Sequence, residues 1–111
     1  MKQEINTSPG LADSEFESYT RNAGSNGVNV GIRCWNNTRL TFRFHDVIAF
    51  LDRGIGDVTK LVYETTGGSL VDDALAWTYE SVPNEHPYRL FQFLDLDSNP
   101  SLEVVAQDVE F

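Results

Sequence analysis

The chain has 111 residues, 41% of them hydrophobic, and a single cysteine. A chain of this size is expected to form one domain with its own core, and one cysteine excludes an intrachain disulfide framework. The formal net charge of −9 argues against general nucleic-acid binding, and no stretch approaches the roughly 18 apolar residues that span a bilayer. Because the N-terminus shows no apolar signal sequence, we expect a cytoplasmic protein without membrane attachment.

The charge is spread unevenly along the chain. Residues 1–20 carry a net of −3, and residues 21–60 carry six Lys or Arg against three Asp, a net of +3. Residues 61–111 carry one Arg against ten acids, a net of −9. The sequence therefore predicts a basic middle and a strongly acidic C-terminal half, which limits the partners that each surface can take.

Residues 1–27 are typical of a polar lead-in. Turn-forming stretches flank residues 12–22, which are predicted either to form one short helix or to stay loose. Phe16 and Tyr19 are three residues apart, a spacing that favours docking of one helical face on the body. We expect this segment to be partly ordered, and we expect a single α+β domain over residues 28–111.

The pattern of residues 28–45 predicts a β-hairpin, because apolar side chains alternate with polar ones on both sides of an Asn-rich turn. A three-residue loop at residues 36–38 places Cys34 opposite Leu40 and gives the hairpin one apolar face. Such loops need a residue with positive φ, for which Asn is well suited.

The remaining elements complete an α+β pattern. Residues 45–57 form either a short helical turn or a strand, and residues 59–65 are predicted to be a strand. Ser69 and Asp72 have the spacing of a capping box, apolar residues follow at helical spacing, and Pro83 closes a main helix over about 69–82. Residues 88–111 give two strands with apolar residues on both faces, as in strands covered on both sides. We expect an antiparallel sheet of about five strands with the helix packed on it. A partly closed, barrel-like form of this sheet is the alternative.

The stretch LDLDSNPSLEVV, residues 94–105, has the alternating oxygen ligands of a calcium loop. An EF-hand loop counted from Asp95 requires Gly and Glu where Pro100 and Ala106 stand, and its flanks are helical. A turn closed by Asp and Asn side chains between two strands fits the segment better. We therefore expect neither a metal nor a cofactor.

No group of residues points to a catalytic centre. The alternation puts Cys34 on the apolar face and His45 on the opposite face, so a nucleophilic Cys–His pair is not expected. Asp95 and Asp97 have the spacing of a glycosidase-type pair, but nothing else in the sequence indicates a sugar cleft. The sequence thus leans towards a protein without enzymatic activity.

Two charged surfaces remain as candidate sites. The outer face of the first hairpin gathers cationic and aromatic side chains that can bind an anion or small ligand: Arg33, Trp35, Arg39, Arg43 and His45. The plainer interpretation is a solvated sheet face, or an intramolecular partner for the acidic strands. The last hairpin gathers carboxylates that can dock on a basic protein: Asp95, Asp97, Glu103, Asp108 and Glu110.

Three functions follow from these surfaces. The first is a small acidic accessory protein, of the inhibitor or immunity-like kind, that binds a basic protein partner through its acidic surface. The alternative is an α+β domain that uses the basic hairpin face either to bind a small ligand or anion or to hydrolyse a bound ligand. The third is a homo-oligomer in which the basic hairpin of one subunit meets the acidic hairpin of another.

Overall fold

The computed structural model describes residues 2–22, 24–54, 56–65, 69–80 and 86–111. Within these ranges the chain forms ten strands and one helix: β1 (Gln3–Ile5), β2 (Ser14–Asn22), β3 (Gly27–Arg33), β4 (Arg39–His45), β5 (Ala49–Asp52), β6 (Asp57–Val58), β7 (Lys60–Glu64), α1 (Ser69–Tyr79), β8 (Arg89–Leu94), β9 (Pro100–Ala106) and β10 (Asp108–Glu110). The predicted α+β class is confirmed. No helix in the described part of the chain has the length and apolar character needed to cross a membrane.

The strands form two antiparallel sheets of five. The helix-covered sheet has the order β1-β7-β8-β9-β5, and the hairpin sheet has the order β10-β4-β3-β2-β6. The five strands predicted from the sequence are divided between the two sheets: β3 and β4 lie in the hairpin sheet, and β7, β8 and β9 lie in the helix-covered sheet. The sheets also contain five further strands: β1, β2, β5, β6 and β10. Four of these additional strands have only two to four residues, too few to show an alternating pattern.

The core lies between the two sheets and is dominated by phenylalanine. Phe42 and Phe44 point inward from β4, and Phe91 and Phe93 point inward from β8, all at most 1% exposed. Phe44 meets Phe91 edge-on with ring centroids 5.2 Å apart, and Phe42 meets Phe93 at 5.4 Å. Edge-to-face pairs of this kind stabilise a core beyond the area that they bury, by about 0.5–1.5 kcal/mol each.

The helix packs on the other face of the helix-covered sheet. Val71 and Leu75 of α1 form a second buried cluster with Leu90 of β8 and Val105 of β9. The central strands β8 and β9 are therefore covered on both faces, as their apolar residues on both sides predict.

The segment predicted as a short helix or a loose lead-in is strand β2. Its pairing with β3 shifts between Phe16 and Ser18, so that Phe16 is opposite Ile32 and Tyr19 is opposite Val30. This β-bulge adds one residue to β2, so Phe16 and Tyr19 lie on the same face although they are three positions apart instead of two. The spacing of Phe16 and Tyr19 therefore imitates a helical repeat, and the helix alternative for this segment is wrong. The proposed boundary after residue 27 falls at the start of β3, inside the β2–β3 hairpin.

The first hairpin has the predicted faces but a register shifted by two residues. Leu40 is opposite Ile32, whereas the predicted register places it opposite Cys34, and Arg33 is opposite Arg39. The loop has three residues as predicted, but they are residues 35–37, closed by the hydrogen bond from Cys34 N to Thr38 O at 2.8 Å. The third loop residue takes the left-handed conformation, and Asn37 has φ 66° there. The predicted loop would put β-branched Thr38 in that position, which costs more.

Helix α1 ends three residues earlier than predicted. Its last residue is Tyr79, and Glu80 has φ 66°, the left-handed conformation that commonly ends a helix. The predicted end at residue 82 and the closing Pro83 lie outside the described residues, as does the Ser69 side chain of the predicted capping box. Residues 49–52, for which a helical turn and a strand were both open, form strand β5 beside β9.

Candidate functional site

The cationic side chains predicted as an anion site share the outer face of the hairpin sheet, but most of them have carboxylate partners. Arg33 forms an ion pair with Glu15 of β2. Arg39 Nε donates to Glu17 Oε1 at 2.7 Å, and this hydrogen bond, together with the Glu17 charge, raises the pKa of the Arg39 guanidinium.

The other end of that face is paired as well. His45 Nε2 lies 2.9 Å from Glu110 Oε1 of β10. Arg43 has no ion pair among the described residues. Trp35 is not on this sheet face, because the shifted register places it in the loop at residues 35–37. The structure thus brings Arg33, Arg39, Arg43 and His45 together, and gives three of the four a carboxylate partner.

The five carboxylates predicted as one acidic surface lie in three places. Asp95 and Asp97 are at the β8–β9 turn, whereas Asp108 and Glu110 are in β10, beyond the far end of β9. The seven residues of β9 separate the two groups by about 20 Å. The prediction of a single surface is therefore wrong. The two groups are close in the sequence, but they lie at opposite ends of the extended strand β9.

Glu103 does not belong to any surface, because it is 5% exposed in the middle of β9. Its Oε1 accepts a hydrogen bond from Gln92 Nε2 at 2.7 Å, and its Oε2 accepts one from Arg53 Nε at 2.8 Å. Strand β9 lies between β8 and β5 and is covered on both faces, as the apolar residues of this segment predict. Grouping Glu103 with exposed carboxylates was therefore inconsistent with the predicted burial of its own strand. A buried carboxylate needs such partners to remain charged.

The Asp95 carboxylate closes a turn, as the turn interpretation of residues 94–105 predicts. Its Oδ1 accepts hydrogen bonds from the backbone N–H groups of Asp97 and Asn99, both at 2.9 Å. Ser98 takes the left-handed conformation with φ 62°, and the N–H of Asp95 donates to Asn99 O at 3.0 Å. Within the described ranges, no three acidic, His or Cys side chains are placed to hold a metal ion.

The β8–β9 and β3–β4 hairpins have the same loop design. Each has three loop residues, of which the third is left-handed, and each is closed by one pair of backbone hydrogen bonds. The first loop residue is a large apolar side chain in both cases, and it is exposed: Trp35 by 65% and Leu96 by 81%. Two hairpin tips, one from each sheet, thus present an unburied apolar side chain at the same end of the molecule.

Trp35 and Leu96 line a common cleft of about 490 Å³, which we call the hairpin-tip cleft. Val58 and Thr59, where the chain crosses from β6 in the hairpin sheet to β7 in the helix-covered sheet, lie along it, as does Cys34. Cys34 is 2% exposed and unpaired, so it contributes an apolar surface, as predicted for that side of the hairpin.

The walls of the hairpin-tip cleft are acidic. Asp13, Glu15 and Asp57 line it, against a single cation, Arg33. Arg33 is paired with Glu15, whereas no ion pair is found for Asp13 or Asp57 in the described part of the chain. Asp57 is directly opposite Glu15 across the β2–β6 pair, so two like charges face each other.

One residue that lines the cleft carries a polar group without a partner among the described residues. Ser14 is 2% exposed, and its hydroxyl oxygen is buried with no hydrogen-bond partner in the described part of the chain. Buried polar groups are nearly always satisfied, so an unsatisfied one beside a cleft marks a place where a donor or acceptor can be added.

Most residues of the cleft could not be predicted from the sequence. Asp13, Ser14 and Asp57 meet only because β2 pairs with the two-residue strand β6, and no local pattern indicates a strand that short. Leu96 carried the one readable signal, a large apolar residue between two Asp in a turn.

No protein-family model, curated protein or solved structure matches the chain. The fold and the cleft define a two-sheet α+β domain with an open acidic cleft at one end. Any functional inference rests on the chemistry of that cleft.

Proposed function

We propose that this protein is a binding module for a basic protein partner, which it contacts through the hairpin-tip cleft. The observation that carries the proposal is the combination of two exposed apolar tips, Trp35 and Leu96, with the two carboxylates Asp13 and Asp57 that have no cationic partner among the described residues. Interface centres are enriched in such aromatic anchors, and complementary charge steers the encounter.

Charge pairing favours this proposal over anion binding by the hairpin face. An anion would have to compete with carboxylates that already hold the side chains of that face, since Glu15 and Glu17 pair with two of its guanidinium groups and Glu110 with the imidazole of His45. A cation approaching Asp13 or Asp57 has no such competitor in the part of the chain that is described.

A fluorescence titration tests the proposal. The chain has two tryptophans, so Trp77→Phe leaves Trp35 as the sole reporter at the rim of the cleft. In this background we expect saturable changes in Trp35 emission with a synthetic 12-residue peptide rich in Arg and Lys, and none with an acidic or a neutral peptide of the same length. The affinity for the basic peptide should fall as salt is raised, since exposed charges are screened.

Two double variants separate a site from general electrostatics. Asp13→Asn with Asp57→Asn should weaken binding of the basic peptide about tenfold, from the loss of two exposed charge contacts. Asn suits position 13, where φ is 58°. Asp73→Asn with Glu80→Gln makes the same change in net charge at exposed positions in α1 and directly after it, and should leave the affinity within about twofold. Equal losses from both double variants, or binding of the acidic peptide instead, would overturn the proposal.

Arg33→Gln gives a test by sign. Removing this cation releases Glu15 and makes the cleft more acidic, so binding of the basic peptide should tighten. An anion site on the hairpin face would respond in the opposite direction, with weaker binding of an acidic peptide.

A further inference from the structure

The hairpin-tip cleft contains an arrangement of charges that is incomplete. Along one row of the hairpin sheet, Asp57 of β6 is opposite Glu15 of β2, and Glu15 is opposite Arg33 of β3. Two carboxylates that face each other directly destabilise a sheet. The row continues from Arg33 to Arg39 of β4, but Arg33 is bound to Glu15 and Arg39 to Glu17, so neither guanidinium is left for Asp57. A further cation beside Asp57 would relieve this repulsion.

The geometry of the acids selects the kind of cation. Among the described residues no three acidic, His or Cys side chains converge as metal ligands do, so the cleft does not match a compact metal ion. Asp13 and Asp57 both line the cleft, and so does Ser14, whose buried hydroxyl has no hydrogen-bond partner among the described residues. A guanidinium has five N–H donors in a planar fork and can reach several acceptors at once, which the point charge of an ammonium does less well.

The exposed ring at the rim points to the same ligand. Trp35 is 65% exposed although it lines the cleft, so its ring is available to a ligand inside. Guanidinium groups stack on indole rings and are less strongly hydrated than ammonium groups, which lowers the cost of moving them into a cleft.

We propose that the hairpin-tip cleft recognises a single arginine side chain of the partner, seated between the Trp35 ring and the carboxylates of Asp13 and Asp57. This inference rests on the proposed function and adds the identity of the group that is bound. Arg33 occupies the neighbouring position in the row and holds Glu15, so the incoming side chain takes the carboxylates that Arg33 leaves.

Three small probes share a capped backbone and differ in the side chain: N-acetyl-arginine amide, N-acetyl-lysine amide and N-acetyl-citrulline amide. Citrulline keeps the shape of arginine and has no charge, so it is the matched control. In the Trp77→Phe background, we expect Trp35 emission to respond saturably to the arginine probe at millimolar concentration. The lysine probe should bind about three- to tenfold more weakly, and the citrulline probe should show no saturation in the same range.

Variants of the cleft complete the test. Asp57→Asn should weaken binding of the arginine probe at least fivefold, whereas Asp73→Asn on α1 should leave it unchanged. Equal binding of arginine and citrulline probes, equal effects of the two variants, or no saturable response to the arginine probe would overturn the inference.

The outcomes also separate the inference from the proposed function. If the 12-residue basic peptide binds at Trp35 and the arginine probe does not, the cleft binds a basic partner without an arginine-specific seat. If neither binds, both proposals are wrong.

Discussion

The buried carboxylate of Glu103 is held by two neighbours of different kinds. Gln92 is itself buried and donates one hydrogen bond, whereas the Arg53 side chain, 51% exposed, donates the other from the edge strand side. The exposed Arg53 is screened by solvent, so the pair stabilises the fold less than a fully buried pair would. Its main role is to prevent Glu103 from being an uncompensated buried charge.

We therefore predict that Arg53→Gln lowers the free energy of unfolding by about 1–2 kcal/mol, because it leaves the Glu103 charge poorly satisfied. Adding Glu103→Gln to this variant should recover part of the loss, because the charge that needs compensation is then absent. Urea denaturation of the two single variants and the double variant measures this coupling. A stability for Arg53→Gln within about 0.3 kcal/mol of the unchanged protein would show that Arg53 is not needed to hold Glu103.

At the level of elements, Tyr19 links strand β2 of the hairpin sheet to strand β5 of the helix-covered sheet. Its ring packs on Phe50 of β5 with centroids 4.8 Å apart, and its hydroxyl donates to Asp52 Oδ2 at 2.9 Å. That hydrogen bond, followed by desolvation and the Asp52 charge, raises the pKa of the Tyr19 phenol above its usual value near 10. The folded protein therefore holds this proton more tightly than the unfolded chain does.

The raised pKa of Tyr19 makes its contribution to the free energy of unfolding depend on pH. The stabilisation from the Tyr19 hydroxyl is complete below about pH 10 and is lost as the pH rises through the raised pKa of the folded state. We predict that the difference in free energy of unfolding between the unchanged protein and Tyr19→Phe is constant from pH 7 to 9 and shrinks above about pH 10. Denaturation curves at a series of pH values check this, and a difference that grows with pH would show that the contact has been misassigned.

The end of α1 offers a second prediction at the level of elements. Glu80 adopts φ 66°, which costs a non-glycine residue free energy that glycine does not lose. Glu80→Gly should therefore stabilise the protein by about 0.5–1 kcal/mol, whereas Asp73→Gly, inside the helix, should destabilise it by about 1 kcal/mol. Opposite shifts in thermal midpoint are expected from the two glycine variants, and destabilisation by both would mean that the helix continues past Tyr79.

At the scale of the whole molecule, the charge asymmetry along the chain does not become an asymmetry between surfaces. Glu15 and Glu17, from the acidic first 20 residues, pair across the hairpin sheet with Arg33 and Arg39. Glu110, from the acidic C-terminal half, pairs with His45. Asp13 and Asp57 have no ion pair in the described ranges, because strand pairing places no free cation opposite them.

This pairing also explains which features could be predicted. The alternation of residues 28–44 gave the apolar face of the first hairpin, and the helical spacing after residue 69 gave α1, because both patterns are local. The register of the hairpin depended on whether Asn37 or Thr38 takes the left-handed position, and β2 on a bulge, so both were mispredicted. The cleft depends on pairings between segments over 40 residues apart in the chain, such as Ser14 with Val58, which no local pattern encodes.

A basic partner is expected to contact the end of the molecule where the two hairpin tips meet. Two-dimensional 15N–1H NMR of the full chain locates that contact, since the indole N–H signals of Trp35 and Trp77 report from the cleft and from the exposed side of α1. On titration with the 12-residue basic peptide, we predict shifts of the Trp35 indole signal and of the amides of residues 13–15, 57–59 and 96, with the Trp77 indole signal unchanged. Shifts centred on Trp77, or on Arg43 and His45, would contradict the account.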